Sequence, residues 1–420
     1  MRFFFFSAAL LLLGSCEFQV QDYRYDPLPQ LVRGIEAEWA YYPDSFNVQV
    51  LFSPIYRDEE GHPYLDTTYH WGAKAGEYFY PASTVKMPVA ALALQRLREM
   101  DVTGVHAEAH MIHGASREPQ TAAELDSTSE SGLATVKNYL RKIFLVSDND
   151  AYNRLYEFLG QEYINTEMRK RGLDSSRIIH RLSVSGFDTL GNRWLNPVLF
   201  SEDDAITYEL PERYSQFYDD LGLSGQVRGI GYYDSDLDTV VYEAFDFRYK
   251  NYYSVADLHG TVGRLAIPEA YPEEERFNLQ PEDYEMIWTA MAQRPQESDF
   301  PQYDYDDNYV KFWMFGDRDS TTTTDIPDNI RILNKVGWAY GYLTDASYIV
   351  DLETGLEFLL TGAIHVNDNQ IYNDGEYEYE AIGLPFFGDL GRAIYQHQLG
   401  TEERVNLSDD DPLIKLLRGL

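Results

Sequence analysis

The stretch from Ser83 to Leu94, "STVKMPVAALAL", constrains the fold more than any other. A helix that is apolar all the way round cannot lie on a surface, so its first turns must be wrapped on every side. Pro88 is tolerated only near a helix start, which puts Ser83 at the N-terminal end. Ser83 and Lys86 are three residues apart and share a face, so their side chains can meet. Such a pair is either a cap beside a solvated first-turn lysine, or a nucleophile beside a general base.

The rest of the chain supplies what wraps that helix. "LVRGIEAEWAYYP" has near-helical apolar spacing and predicts a first helix. "SFNVQVLFSPIY" alternates as a strand does, and "DEEGHPYLDTTYHW" holds a turn and a return strand, giving a hairpin. Residues 101–131 are polar, with weak helical pieces, and "GLATVKNYLRKIFLVSDNDAYNRLYEFLG" reads as two helices broken at "SDND". "QEYINTEMRKRGLDSS" is a further helix, closed by Gly172. Residues 183–250 are irregular, rich in turn residues, aromatics and acids. "SVADLHGTVGRLAIPE" and "PEDYEMIWTAMAQRP" predict helices. "NIRILNKVGWAYGYLTDASYIVDLETGLEFLLTGAIHV" predicts successive strands with a turn at Glu353-Thr354-Gly355, and "LPFFGDLGRAIYQHQLG" a closing helix. Both chain ends therefore build one antiparallel sheet, with a helical subdomain inserted between them. A hydrophobic fraction of 44% is ample for that core.

The N-terminus adds a location. "MRFFFFSAALLLLGSC" has one basic residue and an apolar run too short to span a bilayer, so residues 1–15 read as an export signal. Leu13-Gly14-Ser15-Cys16 resembles the bacterial lipobox, which implies lipidation of Cys16, the only cysteine of the chain. Residues 16–30 then read as a lipid-anchored tether, 31–400 as one domain and 401–420 as a C-terminal tail. The expected location is the bacterial cell envelope, on the periplasmic or cell-surface side, with the lipid as the membrane contact. A net charge of −35 excludes nucleic acid as a partner, since little here would displace counterions from phosphate.

Three short elements stand in chain order: Ser83-Thr84-Val85-Lys86, Ser147-Asp148-Asn149 and Lys335-Val336-Gly337. The set resembles that of class A β-lactamases and penicillin-binding proteins. The hairpin before the first element, "SVADLHGTVGRLA", and "GWAYGYLTDASYIV" after the third extend the likeness over most of residues 31–398, apart from an enlarged middle. The resemblance implies an α+β, β-lactamase/transpeptidase-like fold: a mainly antiparallel sheet flanked by helices, with an inserted helical subdomain. It also implies roles. Ser83 is the nucleophile and Lys86 the base, its pKa lowered by desolvation or by the second cation, Lys335. Ser147 relays the proton, Asn149 orients Lys86 and binds a substrate carbonyl, and Lys335 attracts a substrate carboxylate. The backbone N–H groups of Ser83 and of Trp338, after Gly337, form the oxyanion hole. Gly337 lets substrate approach the strand closely. Asp148 holds its loop. No metal or organic cofactor is called for, and the expected partner is a small-molecule or peptide substrate, including one that bears a carboxylate.

The pattern also departs from that family. His180-Arg181-Leu182-Ser183 and Arg193-Trp194 resemble its loop after the second motif, yet Leu195 stands where the family carries the glutamate that activates the deacylating water. Asp188 is the only carboxylate well inside this loop and the one candidate to replace it. Val336 lacks the usual hydroxyl. Tyrosine- and acid-rich stretches, "YYDSDLDTVVYEAFDFRYKNYY" and "ESDFPQYDYDDNYVKFW", enlarge the interval before Lys335 and either shape a cleft or simply pack. Asp304, Asp306, Asp307 and Asn308 lack the EF-hand spacing and read as a solvated loop. His106, His110 and His113 fall at helix-like spacing without a supporting carboxylate motif. The expectation is a serine hydrolase acting as amidase, peptidase or esterase on cell-envelope material. A β-lactamase is the first alternative, and a catalytically weak binding lipoprotein the second.

Overall fold

In the computed structural model the described residues are 25–74, 76–203, 205–317, 326–401 and 405–420. The export signal and Cys16 lie outside them. Helix α1, Leu28–Arg33, and a single turn at Glu38–Tyr41 replace the one helix expected over this region. The chain breaks where Gly34 ends α1 and Ala37 adopts an extended conformation, and glycine is a poor helix former.

The expected sheet is present. Strand β1, Gln49–Arg57, pairs antiparallel with both β2, Pro63–Leu65, and β3, Tyr69–Trp71. The apolar helix is α2, Lys86–Met100, entered through a 3-10 turn at Ala82–Val85. Its residues from Lys86 to Gln95 are all buried, as the all-round apolar pattern requires. It is followed by α3, Val136–Leu145, α4, Asn149–Leu159, and α5, Gln161–Lys170, with Gly172 in the left-handed region beyond the last. Then come α6, Val255–Ala266, and α7, Pro281–Ala292. Strands β4, Ile330–Ala339, β5, Tyr342–Asp351, and β6, Leu356–His365, complete the sheet in the order β4-β5-β6-β1-β2, all antiparallel. Helix α8, Leu384–Thr401, and α9, Pro412–Gly419, close the chain.

Side chains alternate across the sheet and feed two cores. Leu333, Ala346, Tyr348 and Leu359 face α2 and the helical subdomain. Ile332, Val336, Leu343, Phe358 and Leu360 face α1 and α8. The two ends of the chain thus meet in one sheet, because β1 lies beside β6.

Two stretches differ from expectation. Residues 101–131 hold no helix; His110–His113 is instead a strand paired with Val198–Glu202. Residues 412–419 are not a free tail. Leu413, Ile414 and Leu417 are buried in α9, and Asp411 both caps that helix and pairs with Arg57 at 2.7 Å. No helix among the described residues is long and apolar enough to cross a membrane.

Candidate active site

Ser83 lies in the 3-10 turn that leads into α2, half-buried at the wall of a cleft of about 770 Å³. Lys86 begins α2 and is fully buried. Ser147 lies in the break between α3 and α4, and Asn149 is the first residue of α4. Asp148 caps α4 by accepting from the backbone N–H of Ala151 at 2.7 Å. That is the loop-holding part expected of it, although it also lines the cleft.

The hydroxyl of Ser147 bridges two lysines. Lys86 Nζ donates to Ser147 Oγ at 3.2 Å and Lys335 Nζ donates to it at 2.9 Å. Lys86 Nζ also donates to the backbone oxygen of Ser147 and to Asn149 Oδ1 at 2.7 Å. Lys335 Nζ has a second acceptor in the Val336 carbonyl at 2.7 Å. Ser83 Oγ has no hydrogen-bond partner among the described residues, so the Lys86 amine faces Ser147 and Asn149 rather than Ser83. Burial, then the neighbouring Lys335 ammonium, pushes the Lys86 pKa far below its ordinary value, with Asp148 opposing. Burial also pushes Lys335 down to about 7, against the pull of Asp345.

Gly337 is required by contact rather than by backbone angle. A Cβ there would lie 2.6 Å from the Pro81 carbonyl and 2.9 Å from the Ser83 nitrogen, so β4 presses directly on the turn that carries Ser83. Trp338 follows, 42% exposed, with its ring 5.6 Å from Tyr379. Val336 points the other way. The alternation of β4 buries it in the core under α8, where a hydroxyl would find an apolar setting.

Five non-glycine residues on the cleft wall have left-handed backbone: Ala82 (φ 47°), Ser147 (φ 55°), Ser183 (φ 47°), Tyr340 (φ 56°) and Asn373 (φ 62°). Such conformations cost non-glycine residues energy and collect at functional sites. Ala82 aims the Ser83 turn. Tyr340 and Gly341 form the two-residue turn between β4 and β5, both at positive φ, as tight hairpins demand.

The structure does not bring every candidate together. Asp188 does not line the cleft; its Oδ1 accepts from the Gly191 backbone at 2.6 Å. Leu195 is a core residue, 3% exposed, packed so closely on α4's end that a Cβ at Gly160 would lie 2.8 Å from its Cδ1. Asp148 is the one carboxylate lining the cleft among the described residues. His106, His110 and His113 do not share a helix face. His106 meets Glu202 at 3.2 Å, and His113 Nε2 meets the Arg154 carbonyl at 3.0 Å. Asp307 is buried against Arg294 at 3.1 Å.

Other site residues escaped the sequence reading. Asn373, Tyr377 and Tyr379 line the cleft from the loop after β6, a stretch with no periodic signal. Tyr309, from the second tyrosine-rich stretch, lines it too. Behind β4, on the face opposite Lys335, Asp345 is fully buried and accepts from Asn334 Nδ2 at 2.8 Å and Ser347 Oγ at 2.9 Å. Lys311, also buried, donates to Asn334 Oδ1 at 2.8 Å, and burial lowers its pKa to about 7. An isolated "NYVKFW" gave no hint of a buried lysine.

The fold is β-lactamase/transpeptidase-like, an antiparallel sheet flanked by helices with an inserted helical subdomain. Residues 61–209 match the model of the Beta-lactamase enzyme family, a span that includes Ser83, Lys86 and the Ser147-Asp148-Asn149 element. No curated protein matches the chain. Among solved structures it is similar to a β-lactamase from Desulfarculus baarsii, at 13% identity over 89% of this chain and 97% of that one, with a TM-score of 0.49. It is also similar to the β-lactamase from Streptomyces albus G, at 15% identity over 88% and 98%, TM-score 0.45. A third is PBP-A, solved as an acyl-enzyme complex with penicillin G, at 12% identity over 89% and 96%, TM-score 0.44.

Proposed function

We propose that the chain is a serine hydrolase working through an acyl-enzyme on Ser83, with amides or esters of cell-envelope material as substrates. The observation that carries this reading is the Ser147 hydroxyl held between Lys86 and Lys335, one helical turn from Ser83. Burial and the neighbouring Lys335 favour the neutral form of the Lys86 amine, the form able to accept a proton from a hydroxyl. In the proposed path Lys86 takes the Ser83 proton as Ser83 Oγ attacks the carbonyl carbon. The backbone N–H groups of Ser83 and Trp338 receive the oxyanion. Ser147 passes the proton to the leaving nitrogen or oxygen, and Lys335 offers its charge to an anionic substrate group. Water then hydrolyses the ester. Asn149 holds Lys86 through Oδ1, with Nδ2 free for a substrate carbonyl.

Fast β-lactam turnover is the weaker alternative, because it needs a rapidly activated deacylating water, and among the described residues the cleft's one carboxylate is Asp148, whose Oδ1 is committed to capping α4. Intact-protein mass spectrometry after incubation with a fluorophosphonate, and separately with a β-lactam, decides between them. A persistent adduct absent in Ser83→Ala is expected. Consumption of the β-lactam without an adduct would replace this reading by β-lactamase activity, and neither adduct nor turnover would replace it by the binding lipoprotein. The same reading tethers the body to the bacterial envelope through lipidated Cys16. Palmitate incorporation lost in Cys16→Ser tests that.

A further inference from the structure

Beside the catalytic cleft is a second chamber of about 360 Å³, under the loop that runs from His180 to Arg193. The two cavities share Tyr80, Ser183 and Tyr340 as a common wall, so the chamber adjoins the cleft at Ser83. Two residues of its lining carry unpartnered acceptors. His180 is 8% exposed, stacked on Tyr80, and its Nδ1 donates to the Arg181 carbonyl. Its Nε2 is therefore a bare acceptor, and it is buried with no hydrogen bond. Gln161 is 2% exposed; its Nε2 donates to Tyr156 Oη at 2.9 Å and to the Ile179 carbonyl at 2.6 Å, while its Oε1 has no partner. Both atoms are sealed within the wall, so neither is offered to a ligand in the chamber.

The charge of the lining is what points to a ligand. Lys250 lines the chamber and forms no ion pair among the described residues; its ammonium lies 5.8 Å from the Phe245 ring centroid and 5.7 Å from that of Tyr340. Arg193, also lining it, spends one guanidinium nitrogen on the backbone carbonyls of Ser215 and Phe217 and has no carboxylate partner among the described residues. Arg181 is neutralised by Glu157 at 2.8 Å. Against the two unpaired cations stands one carboxylate, Asp188, whose Oδ1 is occupied by Gly191. In a chain with net charge −35, a chamber with surplus cations is unexpected unless an anion uses it.

We propose that this chamber is a second substrate subsite, which takes an arm carrying a carboxylate, as an amino-acid end of a short peptide does. The carboxylate pairs with Lys250 and Arg193. As a substrate subsite the proposal rests on the acyl-transfer reading above, but the binding chemistry does not, so the test separates them. Binding of N-acetylglutamate and of its uncharged diamide to the full soluble body carrying Ser83→Ala is measured by ligand-observed NMR at low salt. The acid is expected to bind roughly ten-fold tighter than the diamide. Lys250→Met should remove most of that preference, and Lys250→Arg should keep it. Equal affinity for the two probes, or a preference that survives Lys250→Met, overturns the subsite. Fluorophosphonate labelling of Ser83 in the unsubstituted protein reads the hydrolase proposal alone. Its failure alongside an intact acid preference would leave the chamber standing as a binding site and remove the chemistry.

Discussion

At the scale of single residues, the two lysines on Ser147 are coupled through charge. Lys335 is a cation beside Lys86, and its ammonium is part of what depresses the Lys86 pKa. Acylation that needs neutral Lys86 therefore rises with pH as that amine loses its proton, and removing Lys335 should move the rise to higher pH. Lys335→Ala is expected to shift the acidic limb of fluorophosphonate labelling alkaline as well as slowing it. An unshifted limb would mean that Lys86 is not the titrating base. Gly337→Ala tests contact rather than charge. With a Cβ 2.6 Å from the Pro81 carbonyl, β4 must retreat from the Ser83 turn. The substitution should cost about 1–3 kcal/mol in urea unfolding. It should cut the labelling rate of Ser83 by roughly a hundred-fold, since small misplacements of reacting groups have that effect. The identities of Ser83, Lys86, Ser147, Asn149 and Lys335 were legible in the sequence because each belongs to a short motif. That Lys86 bonds Ser147 and Asn149 rather than Ser83 was not, because no spacing encodes side-chain rotamers.

At the scale of elements, the loop from His180 to Leu195 decides what the site can do. Where the class A glutamate is expected, Leu195 packs into the core beside Gly160. Restoring a carboxylate by Leu195→Glu should not accelerate release of an acyl-enzyme, because the position does not line the cleft. It should instead destabilise the fold by roughly 3 kcal/mol, the order expected for burying an unpaired polar or ionisable group. A discontinuous chromogenic-cephalosporin assay and a thermal melt would read the two parts, and a gain in turnover would show that the loop places residue 195 at the site. The course of this loop was hidden in the sequence, because it is fixed by buried side-chain bonds to distant backbone. Arg181 Nη2 donates to the Trp194 carbonyl at 2.8 Å, and Asn153 Nδ2 to the Leu182 carbonyl at 3.0 Å. The strand at His110–His113 was missed for a related reason: its pairing partner, Val198–Glu202, is remote in sequence and has no turn signal connecting them.

At the scale of the whole molecule, the last helix belongs to the folded body. Leu413, Ile414 and Leu417 are buried, and Arg57 of β1 is held by Asp411 and by Glu357 at 2.6 Å. Deleting residues 405–420 should remove about 5 kcal/mol of apolar burial, seen as a lower urea midpoint and a poorer soluble yield; an unchanged midpoint would make this segment dispensable. The chain's sequence, by itself, determined the class of fold. A helix apolar on all sides needs a sheet and helices around it, and alternating runs at both ends supply the sheet. It also pointed to the residues proposed to carry chemistry, because the three motifs that hold them are local. Only the tertiary structure decided how these are used. It turned Val336 into the core through the register of β4, closed off residue 195, brought the loop after β6 to the cleft, and set Lys250 beside His180. Each of these depends on contacts between segments far apart along the chain, and the sequence lists residues without listing which of them meet.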